Sequence, residues 1–176
     1  MSSNRKTSPD EAYFVTLTIM GWVDLFSREC YRRIVVENLQ HCQRHESLEI
    51  FAYVIMSNHI HMIARRNGAD LNEVLGRFKS YTAKKFITEI EKSPLESRKS
   101  WLLSQFKHFA ATREQYSNYH VWNYENYPTL LYSHEVFMQK REYIHMNPVR
   151  AGIVVDVTHY LYSSASPDSP LKVDEF

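Results

Sequence analysis

The sequence predicts an α+β domain of ferredoxin-like (RRM-like) type, an antiparallel sheet with its helices on one face. Three observations support this. Short β-branched and aromatic runs of strand length recur along the chain. Longer stretches between them repeat apolar residues at helical spacing, with start and stop signals at their ends. The resulting order, β-α-β-β-α-(α)-β-α, is spread over 176 residues, enough for one domain with a sizeable core.

Residues 13–20 (YFVTLTIM) read as the first strand. Apolar positions at Tyr31, Ile34, Val35, Val36, Leu39 and Cys42 then predict a helix over about 28–45. Residues 48–56 (LEIFAYVIM) and 59–65 (HIHMIAR) read as two strands of a hairpin around the polar pair Ser57-Asn58. Asp70 is a good N-cap for a long helix, with Glu73 placed for a capping box and Pro94 marking the end. Residues 95–118 are mixed, with Trp101, Leu102, Phe106 and Phe109 suggesting a further helix. Residues 119–124 (YHVWNY) read as the last strand, and Ser133 caps a final helix that Pro148 should stop. The domain is expected to span residues 12–165, with 1–11 and 166–176 as flexible tails.

Composition narrows the functional classes. The formal net charge is +1 and there are only four glycines, so a glycine-rich phosphate loop has little to work with. No apolar run approaches the ~20 residues of a membrane span, and the polar N-terminus does not read as a secretory signal. The two cysteines, Cys30 and Cys42, fit buried thiols of a cytoplasmic protein better than a disulfide.

Two local patterns carry chemistry. In a strand, residues two apart share a face, so His59 and His61 project side by side while Ile60, Met62 and Ala64 face a core. Two imidazoles so placed can bind one divalent metal, although a third ligand is then needed from elsewhere. The same motif also fits two surface histidines of a half-exposed strand. In the last helix Gln139, Tyr143 and Asn147 stand four apart and form a polar row, with Phe137 and Ile144 on a different stripe. Spacing alone does not separate Tyr143 from the other eleven tyrosines, which mostly serve packing.

Taken together, four segments resemble the REP-associated tyrosine transposases, relatives of the insertion-sequence-200 type in the HUH superfamily (His, hydrophobic residue, His). Residues 52–63 (AYVIMSNHIHMI) resemble the strand–turn–strand that bears the HUH motif. Residues 143–154 (YIHMNPVRAGIV) resemble the tyrosine-helix segment, residues 13–26 the opening strand and residues 160–164 (YLYSS) the closing segment. The resemblance covers about residues 12–165. It implies a ferredoxin-like domain with the HxH on a central strand, Tyr143 as nucleophile, and His59 and His61 as ligands of a divalent metal, Mg²⁺ or Mn²⁺. Asn147 matches the polar residue one turn later that approaches the metal. Ser57 departs from the pattern, since such proteins often have proline before Asn-His; the expected consequence is for turn rigidity rather than chemistry.

The substrate implied is single-stranded DNA, next to a hairpin, cut and rejoined through a 5′-phosphotyrosine link. Relatives also complete active sites across a dimer, so a homodimer is an open alternative. Charge distribution agrees with a nucleic-acid partner: between His59 and Gln115 eleven Lys/Arg face six acids, a net +5. Arg65, Arg66, Arg77, Lys79, Lys84 and Lys85 are the candidate phosphate contacts, and Tyr81, Phe86, Trp101 and Trp122 the candidate base-stacking aromatics. Two other readings stand beside the transposase: a non-catalytic nucleic-acid-binding module of the same fold, and a metal-dependent hydrolase. The hydrolase would want carboxylate ligands, and none lies close to His59 or His61 in sequence.

Overall fold

The computed structural model describes residues 6–111 and 118–176. Strand β1 (Tyr13–Thr18) leads through two short 3₁₀ turns into helix α1 (Glu29–His45). Strands β2 (Leu48–Ile55) and β3 (His59–Arg66) form the hairpin, followed by α2 (Leu71–Lys92) and α3 (Lys99–Ala111). A two-residue strand β4 (Thr129–Leu130) and helix α4 (His134–Arg150) complete the main elements.

The four strands lie in the order β2-β3-β1-β4, each antiparallel to its neighbours. β1 and β2 therefore run parallel to one another with β3 inserted between them, a split β-α-β connection. Side-chain alternation then divides the sheet into two faces. Val15, Leu17, Ile60, Met62 and Ala64 pack with Tyr31, Val35 and Leu39 of α1 and Val74, Leu75 and Phe78 of α2. Ala52, Val54 and Ile63 lie on the other face with Phe137 and Ile144 of α4.

The second cluster corrects the expectation of helices on one face only. α1 and α2 cover one side of the sheet and α4 the other. A register shift between Ile50 and Ala52 helps to make this possible. It changes the phase of β2, so Ile50, Tyr53 and Ile55 serve the first core while Ala52 and Val54 serve the second.

Further expectations differ from the structure. α4 continues through Pro148 to Arg150. So close to the helix end the proline removes one intrahelical bond, and its own carbonyl accepts from Ile153 N at 2.9 Å. Residues 119–124 form only an isolated bridge, Ile19 to Trp122. They still run beside β1, with Asn123 N donating to Thr18 O at 2.7 Å and Met20 N to Val121 O at 2.8 Å. Val121 and Trp122 are buried there, and the Trp122 indole donates to Thr82 Oγ1 at 2.9 Å. A strand-like composition thus reports burial, while the irregular path of the backbone prevents a ladder. Part of the predicted 95–118 segment lies outside the described residues.

The C-terminal segment, expected to be loose, is laid against β2. Leu171 is 1% exposed, the Asp174 carboxylate accepts from Ile50 N at 2.8 Å, and Asp174 N donates to Ile50 O at 2.7 Å. Phe176 stacks on Phe137 at 4.0 Å between ring centroids. At the other end, Thr7 Oγ1 accepts from Leu71 N at 2.8 Å and so joins Asp70 in capping α2. Glu73 does not complete the expected capping box and instead pairs with Arg66 at 2.8 Å. Both cysteines are free thiols, Cys42 buried and Cys30 half-buried.

Ile144 is fully buried in the second cluster, so Ile144→Ala should cost about 2–5 kcal/mol in urea unfolding. A loss near zero would mean that α4 does not sit on this face in solution.

Candidate active site

β3 lies between β2 and β1, and its His59 and His61 face the α4 side of the sheet. The antiparallel register places His59 opposite Thr18 and His61 opposite Thr16. The two imidazole centroids are 4.6 Å apart. His61 is 8% exposed and its Nδ1 is 2.9 Å from the Thr16 hydroxyl. Phe14, two residues before Thr16 on the same strand face, stacks on the His61 ring at 5.3 Å.

Helix α4 brings Tyr143 to this pair. Ile144 is its anchor in the core, and the neighbouring position turns the phenol to the rim of the sheet, 37% exposed. The Tyr143 ring meets His61 edge-on at 5.4 Å between centroids and Phe14 at 5.9 Å. Lys140 Nζ stands 5.7 Å and the Arg150 guanidinium 5.5 Å from the Tyr143 ring centroid. Asn147 lies one turn further on, where its amide nitrogen donates to the Tyr143 carbonyl at 2.8 Å. Gln139, the first member of the polar row, is exposed.

The electrostatics favour neutral imidazoles. Burial lowers the His59 pKa, and burial together with the charges of His59 and Lys140 pushes His61 down to about 3. Both rings therefore keep a lone pair at neutral pH, the form that binds metal. Among the described residues no cluster of three or more His, Cys, Asp or Glu is present. The donor set at the site is the two imidazoles, and the Asn147 side chain is turned to the Tyr143 carbonyl. Such a set fits a divalent transition ion that leaves positions open for phosphate oxygens.

The expected phosphate contacts are placed differently. Arg65 pairs with Glu49 at 2.6 Å, Arg66 with Glu73, and Arg77 with Glu46. Lys84 and Lys85 are exposed on α2, and Lys85 lies over Tyr81 at 5.4 Å. Lys84 also borders a cavity of about 650 Å³ between α2 and residues 118–126. All five are carried by α2 or by the end of β3 away from the histidines. Arg113 and Glu114, also counted in the basic segment, lie outside the described residues. Of the aromatics, Phe86 and Trp122 are core, while Tyr81 and Trp101 are exposed.

Three side chains around the pair were not picked out in the sequence. Lys140 and Arg150 stand three before and seven after Tyr143, a helical spacing that was open to notice. Trp22 had no such signal. It is 67% exposed and meets His59 edge-on at 6.2 Å, from a turn in which both Gly21 and Trp22 take positive φ. An Ala at Gly21 would bring Cβ within 2.4 Å of the Phe109 ring, so a glycine is required there.

Lys79 corrects the expectation of a surface cation. It is buried and its ammonium donates to the carbonyls of Asn123 at 2.7 Å and Tyr124 at 3.1 Å, holding the irregular segment beside β1. Burial pushes its pKa down to about 7. The unfolded chain, with lysine near ~10.4, then binds more protons between those two values, and this group adds stability as pH rises through them. Wild type should therefore gain stability relative to Lys79→Met between pH 7 and pH 9, measured by urea midpoints. Parallel pH profiles would show that the ammonium is not desolvated.

No protein-family model and no curated protein sequence matches the chain. Among solved structures, that of a REP-associated tyrosine transposase bound to a REP hairpin is similar, with a TM-score of 0.62. The match covers 93% of this chain and 82% of that one at 18% sequence identity, a likeness of fold across nearly the whole chain.

Proposed function

We propose that the chain is an HUH-type transposase that cuts and rejoins single-stranded DNA through Tyr143. The observation that carries this reading is the meeting of the Tyr143 ring with His61, 5.4 Å apart within one chain. A phenol, two neutral imidazoles and two cations at one rim suit attack on a phosphodiester. The fold shared with a transposase structure solved with a REP hairpin supports the same class, and the split β-α-β sheet agrees with a ferredoxin-like assignment.

In this reading His59 and His61 would hold Mg²⁺ or Mn²⁺, with Asn147 of α4 as the candidate third ligand. When bound, the ion polarises a phosphoryl oxygen and offsets the charge that develops in the transition state. Imidazole ligands favour Mn²⁺ over Mg²⁺. Lys140 and Arg150 draw the DNA backbone towards the phenol. Tyr143 Oη attacks phosphorus in line as its proton passes to solvent. The Oη–P bond forms, the P–O3′ bond breaks, and the leaving 3′ oxygen takes up a proton. Attack by another 3′-hydroxyl on the 5′-phosphotyrosine reverses the step, and no nucleotide is consumed because the ester link is conserved. A phenol and histidines contributed by the same chain support a site that needs no second copy, although a homodimer remains compatible with it. No described helix is long and apolar enough to cross a membrane.

Incubation with labelled single-stranded oligonucleotides and Mn²⁺ should leave DNA covalently attached to the protein on a denaturing gel, and Tyr143→Phe should abolish the adduct. Free fragments without an adduct would identify a hydrolase, and neither product a binding module. Trp22 is placed to stack on an unpaired base, so Trp22→Ala should weaken single-strand binding by about 1–3 kcal/mol while leaving Mn²⁺ uptake intact. Unchanged DNA affinity would remove Trp22 from the substrate path.

A further inference from the structure

The turn before the histidine pair is held more firmly than a two-residue hairpin requires. Ile19 N donates to Asn58 O at 2.9 Å and Phe26 N to Ser57 O at 2.8 Å, tying both turn residues to the loop after β1. The Ser57 hydroxyl donates to Asp24 Oδ1 at 2.6 Å. Asn58 Nδ2 donates to the Trp22 carbonyl at 3.2 Å and to the same Asp24 oxygen at 3.3 Å. Its other end, Oδ1, is 2.7 Å from His59 Nδ1.

These contacts decide the protonation of His59. An amide can be turned end for end, but here the reversed orientation would press its oxygen against a carbonyl and a carboxylate, with no donor between them. The nitrogen is therefore fixed towards Trp22 and Asp24, and the oxygen towards His59. An amide oxygen only accepts, so Nδ1 must carry the hydrogen. Nε2 is then the ring's free lone pair. Thr16 beside His61 exerts no such choice, because a hydroxyl serves as donor or acceptor equally well.

We propose that Asn58 is a positioning residue that locks His59 in the Nδ1–H form, with Asp24 fixing the amide and Ser57 fixing the turn. The lock presents Nε2 for coordination without a tautomer change. Its role in metal binding rests on the reading of His59 as a ligand, whereas the tautomer itself does not. Ser57 also acquires a purpose: its bond to Asp24 supplies the stiffness that a proline would give by ring closure.

The test reads the tautomer in the metal-free protein, by long-range ¹H–¹⁵N correlation of the histidine rings at pH 7.5. Wild type should show His59 protonated at Nδ1. Asn58→Ala should move His59 towards the Nε2–H form while leaving the His61 signals in place, and should lower Mn²⁺ affinity by about 10- to 100-fold in a titration without DNA. Asn58→Ala should also keep the wild-type circular-dichroism spectrum and urea midpoint, which separates positioning from a general loss of folding. A wild-type His59 protonated at Nε2, or a tautomer unmoved by Asn58→Ala, overturns the proposal. The expected tautomer shift in a protein that takes up no Mn²⁺ would uphold the lock and remove the metal reading instead.

Discussion

The seating of α4 on the histidine-bearing face of the sheet is the constraint on which the rest depends. Phe137 and Ile144 are seven residues apart, two turns of helix, and both enter the cluster formed by Ala52, Val54 and Ile63. Ile63 is itself two residues from His61 on the same strand face. The apolar contact that holds the helix and the polar contact that defines the site are thus adjacent positions of the same two elements. Burial of Ile144 sets where Tyr143 comes to rest, and the phenol needs no loop to carry it there.

Because that face is partly closed by a helix, its polar groups are selected by desolvation. His61 is held neutral by burial, by its neighbour His59 and by Lys140. Repulsion between the imidazoles and Lys140 would be costly if the rings were charged; with neutral rings it disappears, and the lone pairs stay available. Phe14 reinforces this by covering one face of the His61 ring while also meeting Tyr143. The cations at the rim belong to α4 rather than to the basic stretch of β3 and α2, where Arg65, Arg66 and Arg77 are spent on ion pairs with Glu49, Glu73 and Glu46. A charge count along the chain therefore overstates the electrostatic surface offered to a phosphate backbone.

The opposite side of the sheet is organised around holding an irregular chain segment in place. Lys79 and the Thr82–Trp122 bond join α2 to the stretch beside β1, and Phe26, Phe86 and Trp122 pack together beneath it. Two of the four aromatics that looked available for stacking on bases, Phe86 and Trp122, are consumed here, because their large apolar area is worth more in the core than at the rim. The exposed Trp22 sits instead in the loop after β1 that Asn58 grips, so the turn that orients His59 also holds the loop that bears this indole.

By itself the sequence determined strands β1 to β3, the helices and the same-face pairing of His59 and His61, though not β4, since periods of two and 3.6 are local properties of a backbone with fixed geometry. It also determined the caps at Asp70 and Ser133, which act within one turn. Only the tertiary structure decided that α4 crosses to the second face, that Lys79 turns inward, that residues 119–124 forgo a ladder, and that residues 166–176 lie along β2. Each of these depends on which distant surface is left uncovered once the first core has formed, and no local pattern encodes that. Tyr143 shows the division most clearly. Its helix was legible from spacing, but its distinction from eleven other tyrosines came from the company of His61, Phe14, Lys140 and Arg150, residues that only folding brings within reach.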